Sequence, residues 1–201
     1  RGLHQGAEQL DSGTKMIDYG RKLGVLAAGF LLFGTAGLAS ASGVEDIVNF
    51  RAYSAALSSS GQPTEAQLQE VADAGYERVV FLAFTDHHES LASEDRLVKG
   101  LGMEYAQIPV DWDAPRISDF QMFAGLMEGA PGKKTLVHCQ VNFRASTFSF
   151  LYRVLYQGVA LDEAKDDLNS VWVPNDTWRE FIFDVLEENG RSADCDTCLW
   201  E

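Results

Sequence analysis

The residues best placed to do chemistry are Cys139 and Arg144, in the stretch Thr135-Leu136-Val137-His138-Cys139-Gln140-Val141-Asn142-Phe143-Arg144-Ala145-Ser146. A short apolar run ends at His138 and a loop opens at Cys139. From Arg144 the pattern becomes that of a helix continuing to Tyr156. A strand–loop–helix of this kind aims several backbone N–H groups and the positive end of a helix dipole at one point. An anion fits there, and so does a thiolate, which the same field favours over the thiol. Arg144 ends the loop with a planar fork of donors that matches two oxygens of a tetrahedral anion. A lone cysteine at a strand end is often a buried, inert residue. His138, Arg144 and the strand–loop–helix order together argue for a functional one.

The elements that must hold this loop can be read on both sides of it. Residues 44–57 form an apolar-periodic opening segment, a candidate helix with Phe50 and Tyr53 facing inward, and residues 58–63 read as a turn. Thr64 with Gln67 three residues on is a capping box, and Leu68, Val71 and Ala72 supply the buried face of the helix it starts. Ala74 and Gly75 end that helix. Residues 78–84 are a continuous apolar run, as expected of a strand covered on both faces. Asp86, His87, His88 and Glu89 follow in a loop. Adjacent histidines do not have helical ligand spacing and no third ligand is evident, so no metal is expected and the loop reads as a solvated rim near the site. Residues 90–101 carry Leu91, Leu97, Val98 and Leu101 at helical spacing and close at Gly102; residues 103–108 read as the next strand. Pro109-Val110-Asp111-Trp112-Asp113-Ala114-Pro115 then places two carboxylates just past a strand end, where sites in open α/β sheets collect.

A helix over residues 117–128, a Gly/Pro break at 129–133, a helix over 161–171 capped by Asp162, and a last helix capped by Asn175 or Asp176 complete the pattern. Short buried strands alternating with helices predict a three-layer α/β domain with a mainly parallel sheet. At 201 residues, 46% hydrophobic and 23% charged, the chain can bury one real core. A net charge of −14 argues against nucleic acid or an anionic membrane as partner.

Residues 1–41 read as upstream sequence and a secretory signal. Arg21 and Lys22 precede an apolar run over 23–37, and Ala39-Ser40-Ala41 gives the small residues of a cleavage site, with Met16 as the natural start. The run is shorter than the roughly 20 residues that span a bilayer, so no stable membrane insertion is expected after cleavage. The expected organisation is a single domain over 42–190 and a polar tail over 191–201, in the periplasm or outside the cell. In such a compartment Cys195 and Cys198 of the tail could pair, leaving Cys139 as the free thiol.

His138-Cys139…Arg144 resembles the signature loop of the cysteine-dependent protein tyrosine and dual-specificity phosphatases. Two departures stand out. Four residues rather than the usual five separate Cys139 from Arg144, and the hydroxyl usually placed directly after the arginine comes one residue later, at Ser146. The four-residue spacing is similar to the phosphatase-like domain of beta-lactamase hydrolase-like proteins, as is Ser60-Gly61-Gln62-Pro63-Thr64; a loop of similar length is typical of rhodanese sulfurtransferases. Asn142 stands where such loops often carry glycine, and asparagine tolerates positive φ better than most residues.

The resemblance implies a phosphatase-like fold over roughly residues 60–156. It implies Cys139 as nucleophile and Gln140, Val141, Asn142, Phe143, Arg144 and Ala145 as the phosphate-binding loop. It further implies Asp111, in preference to Asp113, as general acid, with His138 orienting the loop and tuning the thiolate rather than acting as a base, and Ser146 hydrogen-bonding the sulfur. No cofactor is implied, and the expected substrate is a phosphorylated small molecule or a phosphoprotein, cleaved through a cysteinyl-phosphate. Two alternatives stay open: a rhodanese-like sulfurtransferase with a Cys139 persulfide, favoured by the shorter loop, and a non-catalytic anion- or protein-binding module, favoured by the missing glycine and displaced hydroxyl. The targeting segment gives the first prediction: the exported protein begins at Ser42, and N-terminal sequencing of the product from the extracytoplasmic fraction checks it.

Overall fold

A computed structural model describes residues 43–195, 198 and 200; the targeting segment expected over residues 1–41 lies outside these residues. Among them are five strands, β1 (Arg51–Ala52), β2 (Leu57–Ser60), β3 (Arg78–Phe81), β4 (Glu104–Gln107) and β5 (Thr135–His138). The helices are α1 (Glu65–Asp73), α2 (Glu94–Gly100), α3 (Ile117–Glu128), α4 (Phe143–Tyr156), α5 (Leu161–Asn169) and α6 (Asp176–Glu188). The sheet order is β1-β2-β5-β3-β4, parallel except at the β1–β2 edge. β5 is therefore central, with Ser60 of β2 on one side of His138 and Phe81 of β3 on the other.

Alternation along the strands divides the core in two. Val80 and Val137 face the layer built by α3, α4, α5 and α6, while Val79 and Leu136 face α1 and α2. This is the three-layer α/β arrangement the pattern predicts. Among the described residues no helix is long and apolar enough to cross a membrane.

The opening segment differs from the expected helix. A single 3-10 turn at Val44–Asp46 leads to β1, and residues 58–60, expected as a turn, belong to the buried strand β2. Three consecutive serines look like loop sequence, but each finds a partner. Tyr53 and Ser59 share a hydrogen bond of 2.8 Å, Tyr76 donates to Ser58 at 2.7 Å, and Ser60 donates to the Gly61 carbonyl at 2.8 Å. Satisfied hydroxyls can be buried at little cost, which is why composition misled. The other corrections are smaller. α2 starts only at Glu94, and α5 is preceded by Ala160 rather than capped by Asp162, whose carboxylate instead accepts from the Glu163 N–H. The Thr64–Gln67 capping box is present, and Asn175 accepts from the Trp178 N–H at the start of α6.

The layer under α4 is dense in aromatic rings. Trp178 is fully buried and touches Trp112, Phe148, Trp172 and Phe181. Its indole N–H donates to the Trp112 carbonyl at 3.0 Å. The last helix thus reaches back to the loop after β4. Trp178→Ala removes both the packing and that bond; a loss of about 3–5 kcal/mol is expected, seen as a lower midpoint in urea unfolding.

Candidate active site

The site lies at the carboxyl end of β5. Cys139 directly follows the strand and is fully buried, within the same apolar cluster as Val137, Ala145 and Phe148. It is the free cysteine of the described residues, Cys195 and Cys198 being joined in a disulfide. Asn142 adopts φ +74°, the left-handed conformation that turns the chain into α4. An asparagine does the work of the absent glycine there. Within the described residues the backbone N–H groups of Gln140, Val141, Phe143 and Arg144 make no hydrogen bonds, as expected at a helix start. These orphan donors and the α4 dipole make an anion cradle.

Two neighbouring segments, residues 48–49 and 61–62, fix the loop from outside. Gln62 N–H donates to the Gln140 carbonyl at 3.0 Å, and Gly61 N–H to the Val48 carbonyl at 2.6 Å. Asn49 donates to the Val141 carbonyl at 3.0 Å, and Asn142 returns a bond to the Asn49 carbonyl at 2.5 Å. Gly61 is squeezed between these partners: a Cβ there would stand 2.8 Å from the Gln140 carbonyl oxygen and 2.9 Å from the Val48 Cβ. Asn49 and Gly61 carry no chemical signal of their own. The sequence pointed to Gly61 only through the Ser-Gly-Gln-Pro stretch, and to Asn49 not at all.

Arg144 is held in place before any ligand arrives. Its Nε donates to the Val110 carbonyl and its Nη1 to Gln140 Oε1, both at 3.0 Å, and the guanidinium lies 5.3 Å from the centre of the Trp112 ring. The Val110 contact brings the residue before Asp111 onto the arginine. Trp112 packs among Phe143, Trp172 and Trp178, so this loop is anchored in the α4–α6 layer. Asp111 and Asp113 are both exposed; Asp111 Oδ1 accepts from the Asp113 N–H at 2.9 Å. Phe143 stacks on Trp172 at 4.6 Å.

Over the loop opens a cavity of about 730 Å³, walled by Phe84, Trp112, Val141 and Phe143, with Arg144 as its cation. Asp86, His87 and Glu89 of the β3–α2 loop also line it, as a rim to the site. Neither Asp111 nor Asp113 reaches the lining in this arrangement. Ser146 corrects an expectation: its hydroxyl donates to the Phe143 carbonyl at 3.2 Å, beside a parallel bond from Thr147 at 2.9 Å, so it braces the first helical turn rather than the sulfur. His138 is fully buried and stacks on Phe81 at 4.8 Å.

This loop and sheet order define the class, the cysteine-dependent tyrosine and dual-specificity phosphatase-like fold. A phosphatase-like DUF442 protein of Shewanella putrefaciens CN-32 is 31% identical over 73% of this chain and 96% of its own, with a TM-score of 0.66. The chain belongs to that DUF442 phosphatase-like family. Tk-PTP in its active form shares the fold at 23% identity, over 69% of this chain and 97% of its own, with a TM-score of 0.58. PTPMT1 in complex with PI(5)P shares it at 15% identity, over 70% and 96%, with a TM-score of 0.60. No protein-family model and no curated protein matches the chain.

Gly61→Ala tests the outer brace. The added methyl meets the Gln140 backbone carbonyl as well as the Val48 side chain, and a loss of about 1–3 kcal/mol is expected, measured by thermal unfolding. A displaced Gln140 should also weaken binding of vanadate, measured by titration.

Proposed function

We propose that this protein is an exported cysteine-dependent phosphatase that hydrolyses a phosphate monoester through a cysteinyl-phosphate. The observation that carries the reading is the double tether of Arg144, which joins the Cys139 loop to the loop bearing Asp111. One guanidinium can then serve the phosphoryl oxygens while holding a proton donor nearby. The Cys139 thiolate attacks phosphorus and the bond from phosphorus to the leaving oxygen breaks. Asp111 gives its proton to that oxygen. Water then attacks phosphorus, Asp111 takes the water's proton, and the sulfur–phosphorus bond breaks to return the thiolate. Arg144 and the orphan loop amides stabilise the equatorial oxygens at both steps.

Asp111 must turn from the Asp113 N–H towards the cavity to act, a rotation of an exposed side chain. Asp113 has no neighbour hydrogen-bonded to Arg144, as Asp111 has in Val110, and is the less favoured acid. The cavity wall suits a single phosphate on an apolar or aromatic carrier, whether a small molecule or a phosphoprotein side chain. Export is supported by the apolar segment and small residues before Ser42.

The non-catalytic reading draws on one observation, the complete burial of Cys139. Hydrolysis of p-nitrophenyl phosphate separates the two. Turnover is expected, and Cys139→Ser should abolish it; no turnover, or equal turnover in both, sinks the covalent mechanism, and thiosulfate cleavage in its place selects sulfur transfer. Asp111→Asn should lower kcat by about 10²–10⁴-fold on an alkyl phosphate, and less on p-nitrophenyl phosphate, whose leaving group needs little protonation. An equal loss on both substrates would remove Asp111 from the acid's role.

A further inference from the structure

The cavity over the Cys139 loop continues past the loop. A second hollow of about 480 Å³ opens beside it, and the two share Glu89, Gln140 and Val141 as lining. Val141 is 38% exposed, and Val48, which lines the second hollow, is 52% exposed. Pro63 and Leu91 extend that apolar lining. Gln62 pins its wall: the backbone N–H donates to the Gln140 carbonyl at 3.0 Å and the side chain to Glu94 Oε1 at 3.1 Å. Glu94 itself is 4% exposed, lies 3.1 Å from His138 Nε2 and lines neither hollow.

Charge along the two hollows is unequal. Arg144, at the anion cradle, is the one lysine or arginine among the described lining residues. Asp86 and Glu89 line the first hollow, Glu89 and Glu65 the second, and all three are exposed. Among the described residues none of the three pairs with a lysine or arginine. His87 Nδ1 lies 4.0 Å from the Glu89 carboxylate, but it accepts the Glu89 N–H at 3.3 Å, and an accepting nitrogen holds no proton. A ligand with a second anionic group would set it against these carboxylates, whereas a cationic group beside the phosphate finds them free. The first hollow alone has the volume of an ordinary small-molecule site, so the second is room for chain beyond the phosphorylated residue. Phe84, Trp112 and Phe143 in the first hollow suit a phenyl ring.

We propose that the joined hollows take an extended phosphotyrosine peptide, and that Glu89 and Asp86 select for a lysine or arginine next to the phosphorylated residue. Turnover of such a peptide rests on the phosphatase reading; its binding rests only on the anion cradle and the acidic rim. Glu65 extends the same preference to residues further along the peptide.

The test uses three phosphotyrosine peptides of one length, alike except that lysine, alanine or glutamate flanks the phosphorylated residue on both sides. Binding is measured to the full chain carrying Cys139→Ser, which needs no turnover. The lysine peptide should bind about tenfold more tightly than the alanine peptide at low salt, and the glutamate peptide more weakly than either. Raising the salt to about 0.5 M should shrink the difference. Asp86→Asn with Glu89→Gln in the same background changes exposed side chains only and should bring the lysine-to-alanine ratio close to one. Equal binding of the three peptides to the parent, or a preference that survives the double substitution, overturns the proposal. Where Cys139→Ser does not fold, the wild-type chain carries the same comparison, by kcat/KM if it turns the peptides over and by Kd if it does not. A lysine preference without turnover in wild type would sink the phosphatase reading only. Hydrolysis of p-nitrophenyl phosphate with no preference among the peptides, or with no binding of any of them, would sink this inference only.

Discussion

The guanidinium of Arg144 is shared between two loops that come from different parts of the sheet. One hydrogen bond stays within the Cys139 loop, to Gln140; the other crosses to Val110. Hydrogen bonds from a charged donor are worth about 1.5–3 kcal/mol where water is kept out, enough to hold a loop but weak beside the field of a bound dianion. The arrangement therefore sets the position of the arginine relative to the Asp111 loop without exhausting the arginine's donors. A guanidinium has five N–H groups, and these two contacts occupy two of them.

That shared contact would be loose without the aromatic layer beneath it. Trp112 follows Asp111 directly and is clasped by Trp178, Trp172 and Phe143. Phe143 is itself the first residue of α4, and Trp178 lies in α6. The C-terminal helices thus do more than cover the sheet: they bind the Asp111 loop to the helix that follows the Cys139 loop. Other supports of the loop are polar: Gln62 and Asn49 donate to its carbonyls, and Asn142 donates back to the Asn49 carbonyl. Apolar packing through Trp112 and these hydrogen bonds together leave the Cys139 loop little freedom.

The four-residue spacing between Cys139 and Arg144 finds its explanation here. A shorter loop must turn more sharply to enter α4, and Asn142 supplies that turn at φ +74°. Its side chain then ties the turn to Asn49, which is also at positive φ. Ser146, one residue later than the usual hydroxyl, is directed to a backbone carbonyl and strengthens the helix start. The departures from the familiar signature are thus compensated locally, by residues that would be unremarkable in another context.

Much of this was legible in the chain itself. The period of the apolar residues located α1, α3, α4 and α6, because a helix must repeat its buried face every 3.6 residues whatever it packs against. The strand–loop–helix at Cys139 could be read because both flanking patterns are strong and local. What the sequence could not disclose depends on partners distant in the chain. Ser58, Ser59 and Ser60 resemble a turn until Tyr53 and Tyr76 satisfy their hydroxyls; Glu94 resembles an ordinary acid at a helix start until α2 packs it against His138. Gly61 resembles a loop glycine until Val48 and Gln140 close on it. Polarity is a local property of a residue, but whether that polarity is solvated, paired or buried is decided by what the fold brings within 3 Å of it. For that reason the tertiary structure alone identified the supports of the site.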